Sequence, residues 1–403
     1  MVFVTAACAA AACGVFAARD GDPRGSPDAS DGDTRADEAV DDAAADDAEA
    51  ASPFCAPTPG IGDGTAPLSE VDCGGAKFQL RTNVQHCGAC FHACGPASAC
   101  TDGICTPETV VDGTHPSLLL GIAGGRMCWA RALDSGTSDV VCANLDGGAQ
   151  RVFFTTTDDG GAVYGGAMGT AGVVVGQGNG TLTLVDFDND GGVARTPNVE
   201  SLALFALTGR DVYFTTYSPG TLRHVPLGGG DATTLVNDSY AYAVAADGPA
   251  IYWSKFRGDD GLEAGSIARY ERDGGAIARS LAATDLYAIG LDDDFVYHYG
   301  PGDAAYTIRR LLKSVAQAPS EALAMVTTFH DVAYAIAVDD AHVYLATGSS
   351  QNDPSNVTII RVPKCGGAPV ALARTSEAYG ALGLDGAHLY WAEADGKIRR
   401  VRK

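Results

Sequence analysis

Three groups of residues have the types and spacing for chemistry. Asp186-Phe-Asp188-Asn-Asp190-Gly191 sets carboxylates at alternate positions ahead of a glycine, the arrangement in which oxygens converge on calcium and glycine permits the turn. The twelfth position is Pro197, which excludes an EF-hand. Asp186, Asp188 and Asp190 are therefore the candidate metal ligands and calcium the candidate cofactor, although the same segment also fits a plain hairpin turn. The second group is Asp247, Asp292, Asp339 and Asp385 with His342 and His388, which recur at equivalent places. Asp at such positions caps the backbone of its own tight turn, and the two histidines are expected to share a structural role. His298 stands where the equivalent position elsewhere is Trp, which makes it a candidate pocket residue.

The third group is the cysteines. Setting aside Cys8 and Cys13, ten remain: Cys55, Cys73, Cys87, Cys90, Cys94, Cys100, Cys105, Cys128, Cys142 and Cys365. An even number suits disulfides in an exported protein. Cys128 and Cys142 are expected to bridge neighbouring strands, and Cys365 to reach Cys55 or Cys73. A zinc site from Cys87, Cys90, Cys100 and Cys105 is the competing reading. It strands Cys73 and Cys94 and needs a reducing compartment. The run from Cys73 to Cys105 is similar to the small cysteine-rich modules, with a CGxC…C…C..G.C pattern, of exported bacterial surface proteins.

The elements that position these groups come from a repeat. Tyr242-Ala-Val-Ala-Ala-Asp247-Gly-Pro-Ala-Ile-Tyr252-Trp253 matches the segments ending at Tyr297-His298, Tyr344-Leu345 and Tyr390-Trp391, with weaker copies near Cys128, Val174 and Tyr213. Each copy reads as an apolar strand, a tight turn and a strand carrying an aromatic. A third strand, a Gly-rich turn and a fourth strand follow, a period that specifies propeller blades. The 51 glycines then serve hairpin turns that need positive φ. Arg269, Arg310, Arg361 and Arg400 coincide on the third strand and read as a solvated face. The last copy ends at Lys403, after its third strand, so Thr109-Val110-Val111-Asp112 is predicted to supply the missing fourth strand and close the ring. Through Ile251-Tyr252-Trp253-Ser254 and Leu389-Tyr390-Trp391-Ala392 the repeat resembles the YWTD-type and related propellers. That family has Asp where Ser254 and Ala392 stand, and six blades where seven copies are counted here.

The fold class predicted is all-β: a seven-bladed β-propeller over 107–403, a disulfide-rich module over 55–106 and a disordered acidic linker over 19–54. Residues 1–18 read as a signal segment. In it Ala6-Ala7-Cys8 and Ala11-Ala12-Cys13 resemble a bacterial lipobox, so Cys8 and Cys13 are the candidate lipidation sites and membrane tether. The linker holds twelve acidic residues against three arginines, which is −9 of the formal charge of −23; such a segment buries too little apolar surface to order itself. The acidic balance excludes nucleic acid as a partner. No nucleophile elbow, HExxH, P-loop or dinucleotide fingerprint occurs, and no catalytic residue is assigned. The expected function is an extracytoplasmic, cell-surface or secreted monomer that binds a protein or glycan ligand without catalysis. The alternative is a propeller hydrolase or lyase with an active site at the channel mouth.

Overall fold

The computed structural model describes residues 70–403 except 114, 116, 134–135, 158–160, 197–198, 200–201, 217–219, 238–240, 249, 256–265, 273, 276, 282–287, 302–305, 316–319, 327–331, 349–356 and 376–378. Cys8, Cys13, the linker 19–54 and Cys55 lie outside the described residues. Pro57–Lys403 forms one compact unit.

Two short hairpins open the described chain: β1 (Glu70–Asp72) with β2 (Lys77–Gln79), and β3 (Cys100–Thr101) with β4 (Ile104–Cys105). Next come β5 (Glu108–Val111), β6 (Ser117–Ala123), β7 (Arg126–Ala132), β8 (Ser138–Asn144) and β9 (Arg151–Thr155). Five four-stranded antiparallel sheets follow in chain order. They are β10 (Val163–Met168), β11 (Gly172–Gln177), β12 (Leu182–Asp186) and β13 (Gly192–Thr196); β14 (Leu202–Thr208), β15 (Asp211–Thr216), β16 (Thr221–Pro226) and β17 (Thr233–Asn237); β18 (Ala241–Ala246), β19 (Ala250–Lys255), β20 (Ser266–Glu271) and β21 (Ile277–Leu281); β22 (Ala288–Leu291), β23 (Phe295–Pro301), β24 (Tyr306–Leu312) and β25 (Glu321–Val326); β26 (Val332–Val338), β27 (His342–Gly348), β28 (Val357–Pro363) and β29 (Val370–Thr375). The chain ends in β30 (Tyr379–Leu384), β31 (His388–Ala392) and β32 (Ile398–Arg402).

An eight-stranded sheet of order β5-β32-β31-β30-β6-β7-β8-β9 joins the two chain ends. Its halves touch through one parallel pair, Gly380 with Leu119. The predicted closing strand is present: Val111 lies opposite Ile398, Thr109 opposite Arg399 and Glu108 opposite Arg400. The first strand of each sheet also contacts the first strand of the next, and β30 contacts β6, so the first strands line a closed ring. Sequential antiparallel sheets arranged in this way are a β-propeller.

Continuous apolar runs explain why these segments are strands covered on both faces and why the sheets stack. In β27, Val343, Tyr344, Leu345 and Ala346 are all fully buried because both sheet faces meet a neighbour. Tyr344 packs toward Trp391 and Leu389 of the next sheet, while Leu345 packs toward Tyr297 and Tyr299 of the preceding one. Burying each of these side chains contributes about 2–3 kcal/mol. Glycine also serves the inner strands, where sheets approach most closely. A Cβ on Gly290 would stand 2.7 Å from Val338, and one on Gly383 would stand 2.6 Å from Ile122.

The cysteines pair as Cys73–Cys90, Cys87–Cys100, Cys94–Cys105 and Cys128–Cys142. Cys128 and Cys142 face each other directly across β7 and β8, as their spacing implied. Cys365 is disulfide-bonded too. Because Cys73 is taken by Cys90, the partner of Cys365 lies outside the described residues. Disulfide formation leaves Cys87, Cys90, Cys100 and Cys105 no thiolates, so the zinc reading fails. This density of disulfides belongs to an oxidising, extracytoplasmic compartment.

Candidate functional site

The two ends of the propeller are built differently. At one end, turns of two or three residues join first strands to second strands. Here each repeated Asp caps its turn. Asp292 Oδ1 accepts the backbone N–H groups of Asp294 at 3.0 Å and Phe295 at 2.7 Å. Asp339 and Asp385 do the same for the turns before His342 and His388. The other carboxylate oxygen accepts a tyrosine hydroxyl two residues into the second strand: Tyr297 to Asp292 at 2.7 Å, Tyr344 to Asp339 at 2.8 Å and Tyr390 to Asp385 at 2.7 Å.

A cation from the next sheet completes the arrangement. Lys313 pairs with Asp247, Lys364 with Asp292, and Lys403 with Asp339 at 2.7 Å. Arg272 likewise reaches back to Asp211. Each cation lies three residues after the repeated arginine of its third strand and sits over a tyrosine ring of the sheet it reaches, Lys364 at 5.4 Å from Tyr297, for example. Burial would raise the Asp339 carboxyl, but Lys403, two backbone N–H groups and the Tyr344 hydroxyl outweigh it and hold the carboxyl at about 2. Burial, reinforced by the adjoining carboxylate of Asp385, pushes Tyr390 up to about 12.

The four repeated arginines depart from the solvated face expected of them. Arg310 is 3% exposed, stacks on Phe295 at 4.6 Å and donates to the Lys364 carbonyl at 2.9 Å. Arg269 donates to the Lys313 carbonyl at 2.6 Å, and burial lowers the pKa of Arg361. Arg400 pairs with Glu108 of the closing strand at 2.9 Å. Arg269 and Arg310 thus join one sheet to the next, while Arg400 joins two adjacent strands of its own sheet.

The Asp186 loop is occupied by a cation of the chain itself. Arg210, from the next sheet, forms an ion pair with Asp186 and donates to Asp188 at 2.8 Å. Asp186 is buried and also accepts the Asp188 backbone N–H, while Asp190 adopts φ 50° to make the turn. The segment makes a turn, and two of its three carboxylates face the single positive charge of Arg210.

At the opposite end, second strands pass to third strands through four to ten residues, the longest being 256–265 and 349–356. Two buried polar clusters brace this end, and the sequence reading had assigned neither. Arg131 pairs with Asp139, which accepts the Thr155 hydroxyl at 2.7 Å. Glu393, 4% exposed, accepts Arg399 at 2.7 Å, the Trp391 indole N–H at 3.1 Å and the Thr375 hydroxyl. A charge two places beyond the Trp of the repeat was the available signal. His298 stands on the second strand of its sheet, β23. It is fully buried, its Nε2 is 2.9 Å from the Ser320 hydroxyl, and burial lowers its pKa to about 3.

No protein-family model and no curated protein sequence matches the chain. Solved structures do. The chain is similar to one in the mitotic checkpoint complex, with a TM-score of 0.54 and 14% identity, over 74% of this chain and 92% of that one. It is similar to a prolyl endopeptidase, with a TM-score of 0.52 and 12% identity, over 72% of this chain and 50% of that one. An uncharacterized protein from Listeria monocytogenes gives a TM-score of 0.50 and 11% identity, over 72% of this chain and 94% of that one. The likeness shows the fold alone.

Proposed function

We propose that the chain is an extracytoplasmic, surface-tethered, seven-bladed propeller. In this reading it is a non-enzymatic scaffold that binds a protein or glycan at the end carrying the longer loops. Each half of the eight-stranded sheet counts as one blade, and β5 serves as the fourth strand of the last.

The observation that carries the reading is the composition of the inner wall. The first strands β6, β10, β14, β18, β22, β26 and β30 contain no Asp, Glu, His, Lys, Arg or Cys; their polar side chains are Ser, Thr and Tyr. Propeller enzymes that use carboxylates or imidazoles draw them from several blades into the channel, and these first strands carry neither. Two of the charged pairs at this end, Arg131 with Asp139 and Glu393 with Arg399, are internal ion pairs. Loops of unequal length on a rigid frame are where recognition residues concentrate. The acidic segment 19–54 and the lipobox-like Cys8 and Cys13 support a tether that holds this frame at a surface.

The test is capture of ligand from the extracytoplasmic fraction by the full chain and by a chain whose residues 256–265 and 349–356 are replaced with short Gly-Ser links. Loss of a specific ligand on replacement, with melting temperature unchanged, supports the reading. Hydrolytic or lyase turnover of a captured glycan or peptide contradicts it.

A further inference from the structure

The cysteine-rich segment ends where the ring closes. Cys105 is joined to Cys94, and three residues later the chain enters β5. That strand is short: three register pairs with β32, interrupted by a bulge, together with Glu108–Arg400 and an Arg399 to Thr109 bond at 2.9 Å. Strand pairing on this scale is marginal by itself. It must also hold together chain segments almost three hundred residues apart, at the corresponding cost in loop entropy.

The cystines sit against the place that needs support. Cys87, Cys94, Cys100 and Cys105 are buried in one apolar cluster with Leu372 of β29, Trp391 of β31 and Val401 of β32. His92, 2% exposed, donates from Nδ1 to the Cys87 carbonyl at 2.6 Å, and its Nε2 lies 3.4 Å from the carbonyl of Arg402. Gly95 approaches Glu108 so closely that a Cβ there would stand 2.1 Å from its carboxylate oxygen. The module thus shares its core with the last two sheets and touches both strands of the closing pair.

We propose that the cysteine-rich module is the clasp of the propeller, and that oxidation of the Cys94 and Cys105 thiols locks β5 beside β32. The oxidant is the disulfide of an extracytoplasmic thiol–disulfide oxidoreductase. One thiolate attacks it to form a mixed disulfide, and the second thiolate displaces the carrier. Two electrons and two protons pass to the carrier, which leaves as a dithiol, and the Cys94–Cys105 bond forms. Ring closure is thereby confined to the exported protein.

Hydrogen exchange on the full chain tests this with a Cys94→Ser/Cys105→Ser variant and, as control, a Cys128→Ser/Cys142→Ser variant. In the first, amide protection over 398–402 is expected to fall about a hundredfold while 212–216 stays within about threefold of wild type. The control keeps its protection over 398–402. Wild-type protection of 398–402 in the Cys94/Cys105 variant overturns the proposal. Equal loss over 398–402 and 212–216 also overturns it, because the disulfide would then support the whole fold and not the seam.

Discussion

The last residue of the chain, Lys403, donates its ammonium to Asp339 at 2.7 Å, a carboxylate in the turn of the preceding sheet. The same link joins Lys364 to Asp292 and Lys313 to Asp247. It makes the tight-turn end of the propeller a series of latches between neighbouring sheets.

Breaking the Lys403 latch should be measurable. Both side chains are mostly buried, at 15% and 20% exposed, so Lys403→Ala is expected to lower unfolding free energy by about 1–3 kcal/mol. Asp339 has its folded pKa depressed to about 2. Its contribution is present above the unfolded value near 4 and lost as pH falls toward 2. Urea titrations from pH 7 to pH 2 should show the two proteins converging in acid; a constant difference would remove the ionic explanation.

Latches occur where the preceding turn carries a carboxylate, with one exception at the seam. The positions equivalent to Lys403 in the first sheets are Leu145, Phe187 and Leu227. Leu227 is fully buried, and a Cβ on Gly172 would stand 2.7 Å from it. Leu145 instead follows Asp385, whose Tyr390 hydroxyl lies 3.5 Å from the Leu145 carbonyl. Leu145→Lys is therefore expected to change stability by less than about 1 kcal/mol, while Leu227→Lys buries an unpaired charge and costs about 3 kcal/mol or more. Equal costs in denaturant titrations would contradict the register.

His298 predicts an acid-sensitive component. Burial depresses its folded pKa to about 3, so the unfolded chain binds the proton first, below about 6.5. Stability then falls by up to about 1.4 kcal/mol per pH unit between 6.5 and 3. His298→Gln keeps a donor for Ser320 and should flatten the melting temperature between pH 6.5 and pH 4.5. His342, lowered to about 4 by burial and Arg361, leaves part of the slope in place. An unaltered pH profile in the variant would dismiss His298 as its source.

Calcium at millimolar concentration should leave the melting temperature of the wild-type protein unchanged, because Arg210 already pairs with Asp186 and Asp188 and would have to be displaced. Arg210→Ala removes that counter-ion and should lower stability in low salt. A calcium-dependent rise in the wild type would show that the guanidinium yields the site.

The repeat made the sheets legible because each copy has to bury the same faces, and its phase was enough to place the strand around Thr109 beside the C-terminus. Cys128 and Cys142 were legible from fourteen residues of hairpin. The inter-sheet cations were not, since an Arg or Lys on a strand looks solvated until its neighbouring sheet is known. The signal was nevertheless present as a correlation within the chain: Asp in one turn, a cation after the next third strand. The module's pairing was illegible because Cys73–Cys90 and Cys87–Cys100 interlock, and spacing alone permits many connectivities.

In the proposed function, recognition belongs to the longer loops and the tight-turn end is structural. The most direct measurement is ligand affinity of the full chain against two variants: one with residues 256–265 and 349–356 shortened, the other with Lys364→Ala at the tight-turn end. The loop variant is predicted to lose binding while keeping its melting temperature, and Lys364→Ala to lose stability while binding as wild type. Retained affinity in the loop variant, with affinity lost in Lys364→Ala under conditions where it is folded, would contradict the claim.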